Sequence, residues 1–560
     1  MRLWKMKNKG MGKKDFDKLD NLPGCAAEFV RLVVNKMRYR RKVRAEVREE
    51  LIGHFEDELR GCKDAAEREQ KAKELVDKFG DARMLGRLMR RAKKRCRPWW
   101  KKAVVRTFKA IGMLLVCFIL YTVWFINGNP VVKIDYVEQI NSLNRPEVKN
   151  TENALTNYQK AIELYVEPND TKFEKFRKEN YTLDKLSDSE KAKLKDLVKL
   201  NEAAWRQVKN GSSKAYCYHT YRAGQEDEES GWVLAILLPH LSKLRGIERI
   251  GLAKIQFETQ AEQIEQALED CIALVRLGYH LQQQAWIVEY LVGYRCAEDG
   301  VEQLRNIISS QKISAEQLKQ LQKQLSETYL REFPADTLDA ARYMFLDTVQ
   351  RIFTDGGPGG GHLVPKNARP VFAMVDGEDI SDSQMLELMA GSMIHIRRNE
   401  TVRTANRMYD EMKDIVSLSP HTRRIKEIDS DAVVESFSKY RYFLLHIFIP
   451  ALDRVSDVYF QEKCLQEAII TVLSLKMCKR DTGQYPEKLD LLVEQDYLEA
   501  LPMDPYSDKP LVYRRTDEGF TLYSVGLNFV DDGGVLGTDS KDRPWMWSRD
   551  GDAVFWPVRK

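Results

Sequence analysis

AIGMLLVCFILYTVWFI, Ala110 to Ile126, is an uninterrupted apolar run behind a dense basic stretch, and its reading organises the rest of the chain. As a helix rising about 1.5 Å per residue it spans roughly 26 Å, close to the hydrocarbon thickness of a bilayer. Val104 and Val105 extend it while Arg106 and Lys109 reach back to the headgroups, so residues 104–126 are the expected transmembrane helix. A signal peptide would place its apolar run first and a small-residue cleavage site after it, whereas here about a hundred charged-rich residues come before. Between Arg83 and Lys109 lie about a dozen Lys and Arg, RRAKKR at Arg90 to Arg95 among them. Only Lys133, Arg145 and Lys149 follow within the next two dozen residues. The positive-inside rule therefore predicts a single-pass membrane protein, N-terminus in the cytoplasm and C-terminus out, with Trp99, Trp100 and Trp124 at the two interfaces. The basic flank beside a membrane helix points to anionic lipid, and no nucleic-acid partner is expected.

The net charge of +5 over 560 residues is small, and a 43% hydrophobic composition suffices for folded cores. The nine cysteines, Cys25, Cys62, Cys96, Cys117, Cys217, Cys271, Cys296, Cys464 and Cys478, include no CxxC pair. Neither a zinc site nor a dense disulfide framework is expected. Cys464 and Cys478 share a predicted helix that sets them about 21 Å apart, too far to pair.

Upstream of the membrane helix, residues 1–100 are expected to be a cytoplasmic helical domain. Val43, Val47, Leu51, Phe55 and Leu59 recur every four residues, and Asp64 with Glu67 forms a capping-box pattern before the stripe Ala72, Leu75, Val76 and Phe79. Gly80 is placed as a C-terminal cap and Asp81 opens another helix. His54 beside Glu58 reads as a packing residue on this face. The order EVREELIGHFEDELR, a short break, KFGDARMLGRLM and a basic run into a membrane helix resembles the HAAS-like domains that precede membrane segments in bacterial regulators and transporters. That resemblance implies a small interaction module.

Past an exposed connector over 127–150, helical signals recur through 151–455. Leu155, Tyr158, Ile162 and Tyr165 keep helical spacing, as do Leu194, Leu197, Leu200, Ala204 and Trp205 behind a Ser187 to Glu190 capping box. Ile250 through Cys271 reads as one longer helix, and Trp286 to Ile308, Ser314 to Leu330 and Thr337 to Phe353 continue the pattern. No fixed 34-residue period aligns, so an irregular helical-repeat region is expected. The apolar runs Trp232 to Leu238 and Tyr442 to Leu452 are short for a bilayer and read as core helices. DGGPGGGH, Asp355 to His362, lacks the Gly-Lys-Ser/Thr ending of a phosphate cradle and reads as a flexible connector. No HExxH helix or GxSxG elbow is present, and Cys217 with His219 offers two potential ligands without a second pair. No catalytic residue is assigned.

Residues 456–560 are expected to form a small α+β module, with a helix from Leu465 and two strands, Leu511 to Arg515 and Phe520 to Val525. A helix ending in DTGQYP, then YLEALP, DPYSDKPLVY and GFTLYSVG ahead of an acidic glycine loop, resembles the soluble part of type II secretion major pseudopilins. The resemblance implies calcium in the last loop, with Asn528, Asp531, Asp532 and Asp539 as the ligands and Asp542, Asp550 and Asp552 nearby. Trp545, Trp547 and Trp556 are expected to close the strand core. In a pseudopilin the apolar assembly helix is N-terminal, whereas this module ends a long chain. The whole arrangement also resembles uncharacterised single-pass membrane proteins of planctomycete-type bacteria.

The expected fold class is therefore mainly α, with one transmembrane helix and a small C-terminal α+β module. The leading functional expectation is a non-enzymatic envelope protein that binds a protein or polymer partner outside the membrane. The alternatives are a transmembrane regulator acting through the HAAS-like domain, resembling an anti-sigma sensor, and a hydrolase whose site is assembled from distant residues.

Overall fold

The computed structural model describes residues 19, 21–95, 99–143, 145–146, 150–168, 183–222, 231–236, 238–329, 333, 335–376, 381–439, 441–448, 451–517 and 519–558. Cys96, residues 1–18 and the Pro450 end of the Tyr442 to Leu452 run lie outside them. The chain divides into two compact units, Met1–Val123 and Trp124–Lys560.

In the first unit, α1 (Gly24–Lys36), α2 (Arg41–Leu59), α3 (Ala65–Phe79) and α4 (Ala82–Arg95) enclose a core of Phe29, Val33, Val47, Leu51, Phe55, Leu59 and Ala72. The four-residue repeat of α2 is its buried stripe, and Phe79 closes on Phe29 and Phe55 at 5.8 and 5.5 Å between ring centroids. Gly80 ends α3 at φ +77°, a conformation open to glycine. The cap at the other end differs from the expected box: Asp64 accepts from Ala65 N–H, while Glu67 reaches back to Lys63 N–H at 3.1 Å. His54 packs edge-on against Phe79. Helix α5 (Trp99–Ile126) contains the apolar run. Its 24 residues Ala103–Ile126 are long and apolar enough to cross a membrane, and only 6% of the most apolar window is buried.

The second unit is mainly helical. After α6 (Tyr136–Leu143) and α7 (Leu155–Leu164), α8 (Asp188–Leu200) and α9 (Glu202–Ser212) form a bent pair. One continuous stripe would have run through both, but Asn201 stands at the break. Its fully buried amide accepts from Val166 N–H at 2.8 Å and donates to Val166 and Leu197 carbonyls at 3.1 Å. The Ser187 capping box forms as expected. The long helix expected from Ile250 to Cys271 is two helices, α10 (Pro239–Gln260) and α11 (Ile264–Gln282), because the chain turns at Glu262 with φ +58°. Hydrophobic spacing alone does not register a three-residue turn that preserves which side faces the core.

Helices α11 and α12 (Ile287–Ser310) pack closest of all. A Cβ on Gly278 would sit 2.5 Å from the Gly293 carbonyl oxygen, and one on Gly293 would sit 2.4 Å from the Gly278 oxygen. Small residues here let the two backbones meet. Next come α13 (Ala315–Thr328), α14 (Ala335–Ile352), α15 (Pro365–Asp376), α16 (Asp382–Ile394) and α17 (Arg398–Val416). Three short helices follow before the long α18 (Ala451–Thr482). A second core of Phe345, Val349, Phe353, Tyr409, Met412 and Leu445 lies between α14 and α17.

The C-terminal strands β1 (Met503–Asp504) and β2 (Lys509–Pro510) pair with each other, and β3 (Val512–Arg515), β4 (Phe520–Ser524) and β5 (Ala553–Trp556) make an antiparallel sheet in the order β3-β4-β5. Its inner face is continuous with the helical core: Phe520, Leu522 and Phe555 share one cluster with Leu304, Leu473 and Cys271. The boundary expected at 455/456 thus falls inside α18, and Arg305 of α12 donates through Nε to Phe555 O at 3.1 Å. The expected connector also contains structure. Helix α6 lies on α14, and Gln350 of α14 donates to Ile134 O at 2.8 Å. Asp355 to His362 is likewise a packed turn, with Arg398 on Asp355 at 2.6 Å and His362 on Phe125 O at 3.0 Å.

On α18, Glu462 is buried beside Tyr279 and accepts from Gln282 Nε2 at 2.8 Å. Burial pushes its carboxyl up to about 8 from an ordinary 4.5. The folded protein therefore keeps a proton that the unfolded chain has released between those values. Stability from this group is complete below pH 4.5, declines as pH rises and is gone above 8, by at most about 1.4 kcal/mol per pH unit. Glu462→Gln removes the proton linkage, so its stability relative to the unmodified protein should climb from pH 5 to pH 8 in denaturant titrations. A difference that stays flat with pH would show that Glu462 is ionised in the fold.

Candidate metal centre

The segment 216–221 runs extended beside α7 and α6 because two asparagines take over the bonds a sheet would supply. Asn153 donates to Tyr218 O at 2.8 Å and accepts from Tyr218 N–H at 3.0 Å. Asn141 does the same for Tyr221 at 3.1 and 2.7 Å. In an extended chain side chains two apart share a side. His219 and Tyr221 accordingly face inward, their rings 4.5 Å apart, while the Tyr218 hydroxyl turns away to donate to Asn141 O at 2.7 Å.

They face Glu289 in the first turn of α12, whose side chain is fully buried. Its Oε1 lies 2.7 Å from His219 Nε2 and 3.2 Å from Nε2 of His240, in the first turn of α10, and its Oε2 accepts from the Tyr221 hydroxyl at 2.6 Å. The two imidazole rings stand 5.1 Å apart, 16% and 29% exposed. Burial alone would raise the Glu289 carboxyl. The hydrogen bonds from His219, His240 and Tyr221 prevail and hold it below the usual carboxylate range. Tyr221 is pushed up by burial and by the Glu289 charge, and stays a donor.

One atom each from His219, His240 and Glu289 lies within 4.8 Å of the others, geometrically compatible with a divalent metal site. Two imidazoles and one carboxylate are a donor set for zinc or another transition metal, whereas calcium takes six to eight oxygens. Binding through Nε2 requires each ring proton on Nδ1, and Tyr221 would orient the carboxylate from behind.

Among the described residues this is the one such group of three. The residues expected to hold calcium are each engaged by protein donors. Asp531 accepts from Tyr523 at 2.7 Å, Asp532 from Asn528 Nδ2 at 2.7 Å, and Asp539 from Arg543 Nε at 2.9 Å and Lys541 N–H at 2.8 Å. Asp539 is held down to about 2 by the Arg543 backbone and guanidinium. Asp552 accepts from Gly534 N–H, Asp550 from Thr538 N–H, and Asp542 is a turn residue at φ +56°. Trp547 and Trp556 are buried in the strand core while Trp545 is exposed. Cys217 is buried, its thiol pushed up by burial and by the Glu289 charge, and it stands outside the cluster. His219 has its partners 21 and 70 positions along the chain, beyond any spacing motif.

Glu289→Ala strands a buried hydroxyl and two ring N–H groups, each costing about 1–3 kcal/mol. Tyr221→Phe forfeits the bond to Glu289 and the one its oxygen accepts from Ala285 N–H at 3.1 Å, about 1–3 kcal/mol in all. Melting of the full chain with chelator present should rank Glu289→Ala far below Tyr221→Phe. Equal melts would show that the cluster is not a coupled network.

No family model, no curated protein and no solved structure matches the chain, so the chemistry of this centre is read from its own geometry.

Proposed function

We propose that this chain is a non-enzymatic, single-pass protein of the bacterial envelope, its first helical unit cytoplasmic and residues 127–560 outside, where the large unit binds a protein or polymer partner. The observation that carries the reading is the helix Ala103–Ile126, whose side chains are exposed from Ala103 to Tyr121, with Met113 and Leu114 70% and 69% exposed. Such a surface has no stable place in water. The basic flank sets the direction. In a cysteine-free background, an impermeant thiol reagent on intact cells should label single cysteines after Asn127 and spare one at Lys63. The reverse pattern would sink the topology.

In this reading the centre holds zinc, which ties segment 216–221 to the starts of α10 and α12. The support is the donor set: two imidazole nitrogens and a carboxylate whose second oxygen is held by Tyr221. The full chain dialysed against zinc and then zinc-free buffer should retain the metal by plasma mass spectrometry. At a hundredfold excess over Kd, zinc should stabilise it by about 2.7 kcal/mol. Retention unchanged in the His219→Ala, His240→Ala double variant would remove the metal from the reading.

A second reading, a transmembrane regulator, is supported by the compact four-helix unit ahead of the apolar helix and its HAAS-like order of motifs. A regulator captured by that unit would favour it.

A further inference from the structure

Beside the start of α17 lies a cavity of about 800 Å³ with cations on its wall: Lys133, Arg397, Arg398 and Arg403, together with Asn399 and Asn406. Two of the cations are spoken for. Asp355 takes Lys133 Nζ at 2.6 Å and Arg398 Nη1 at 2.6 Å. Glu400, the carboxylate on the wall, accepts from the Tyr442 hydroxyl at 2.9 Å. Arg397 and Arg403 have no carboxylate partner among the described residues; the Arg403 Nε–H bonds only the Asn399 carbonyl, at 3.3 Å.

Backbone adds to the positive potential. Helix α17 runs 19 residues, Arg397 is its N-cap, and no side chain caps it, so the positive end of its dipole lies on the cavity wall. The packed glycine turn covers part of that end. A Cβ on Gly360 would sit 2.1 Å from Asn399 Oδ1, and the Gly361 carbonyl accepts from Arg398 N–H at 3.2 Å. The turn thus holds the helix start from one side. Leu346, Val349 and Val402 contribute apolar wall.

We propose that this cavity binds an organic phosphate, its oxyanion between Arg397, Arg403 and the start of α17 and its organic part against the apolar wall. Arginine forks and a helix N-terminus are matched to phosphate oxygens, and the cavity is far larger than inorganic phosphate needs. The phosphate has two possible sources: a soluble phosphate ester or the headgroup of an anionic phospholipid. Lys133 lies seven residues beyond the apolar helix, within roughly 25 Å of extended chain, so a headgroup is in reach. The lipid source rests on the membrane-anchored reading; the soluble source does not.

The test uses the full chain in detergent, with Arg403→Gln, an exposed position, and Arg397→Gln as variants and Arg515→Gln, on the distant strand hairpin, as control. In the soluble arm glycerol 3-phosphate is titrated by calorimetry. Binding that weakens roughly tenfold in either cavity variant and is unchanged in the control supports a soluble ester. In the lipid arm the chain is extracted from mixed phosphatidylglycerol and phosphatidylcholine bilayers, and retained lipid is read by native mass spectrometry. Phosphatidylglycerol kept by the unmodified chain and the control but lost from the cavity variants supports the headgroup. If neither probe separates the cavity variants from the control, the proposal is overturned. Because glycerol 3-phosphate binding needs no bilayer, a wrong topology would leave that arm decisive.

Discussion

The glycine contact between α11 and α12 is the constraint on which the large unit depends. With Gly278 and Gly293 against each other's carbonyl oxygens, the helices approach too closely for any side chain between them. Their remaining faces then carry the surrounding layers. The start of α12 presents Glu289 to the 216–221 segment, its far end sends Arg305 to β5, and Gln282 at the end of α11 meets Glu462 of α18. A shift along this seam would move the candidate metal centre and the sheet together.

Several polar groups buried around the seam are satisfied in sets. Glu289 has three donors, and Asp270 is held by Trp205, Lys209 and Lys254, each at 2.8 Å. His280 takes the Tyr158 hydroxyl on Nδ1 and gives Nε2–H to Lys214 O. Removing any member leaves a desolvated partner behind, which makes these sets sensitive to register rather than sources of large net stability. The candidate centre is one of them. Its distinguishing property is that two of its members are imidazoles on different elements.

At the beginning of the large unit, the last turn of the apolar helix is built into the fold. Phe125 is fully buried, its carbonyl accepts from His362, and Trp124 lies 4.7 Å from the same ring. The glycine turn that supplies His362 also holds the start of α17. A single short segment therefore joins the end of the apolar helix to the wall of the basic cavity.

Much of the architecture was legible along the chain. The apolar run, the Ser187 cap, the Gly80 stop and the two strands β3 and β4 are local, set by residues within a few positions, and they appear as read. The breaks at Asn201 and Glu262 escaped because periodicity survives a short turn. The acidic C-terminal loop reads as a calcium site because like charges cluster in sequence; in space Asp531, Asp532 and Asp539 each accept from a protein donor, Asp531 from Tyr523. His219 stood out by residue type, yet its partners His240 and Glu289 lie at the starts of two helices far along the chain. Local chemistry thus determined most of the elements and the long apolar helix. Only tertiary packing, through the close approach that glycine permits between α11 and α12 and the two asparagines that align segment 216–221, decided which distant side chains meet.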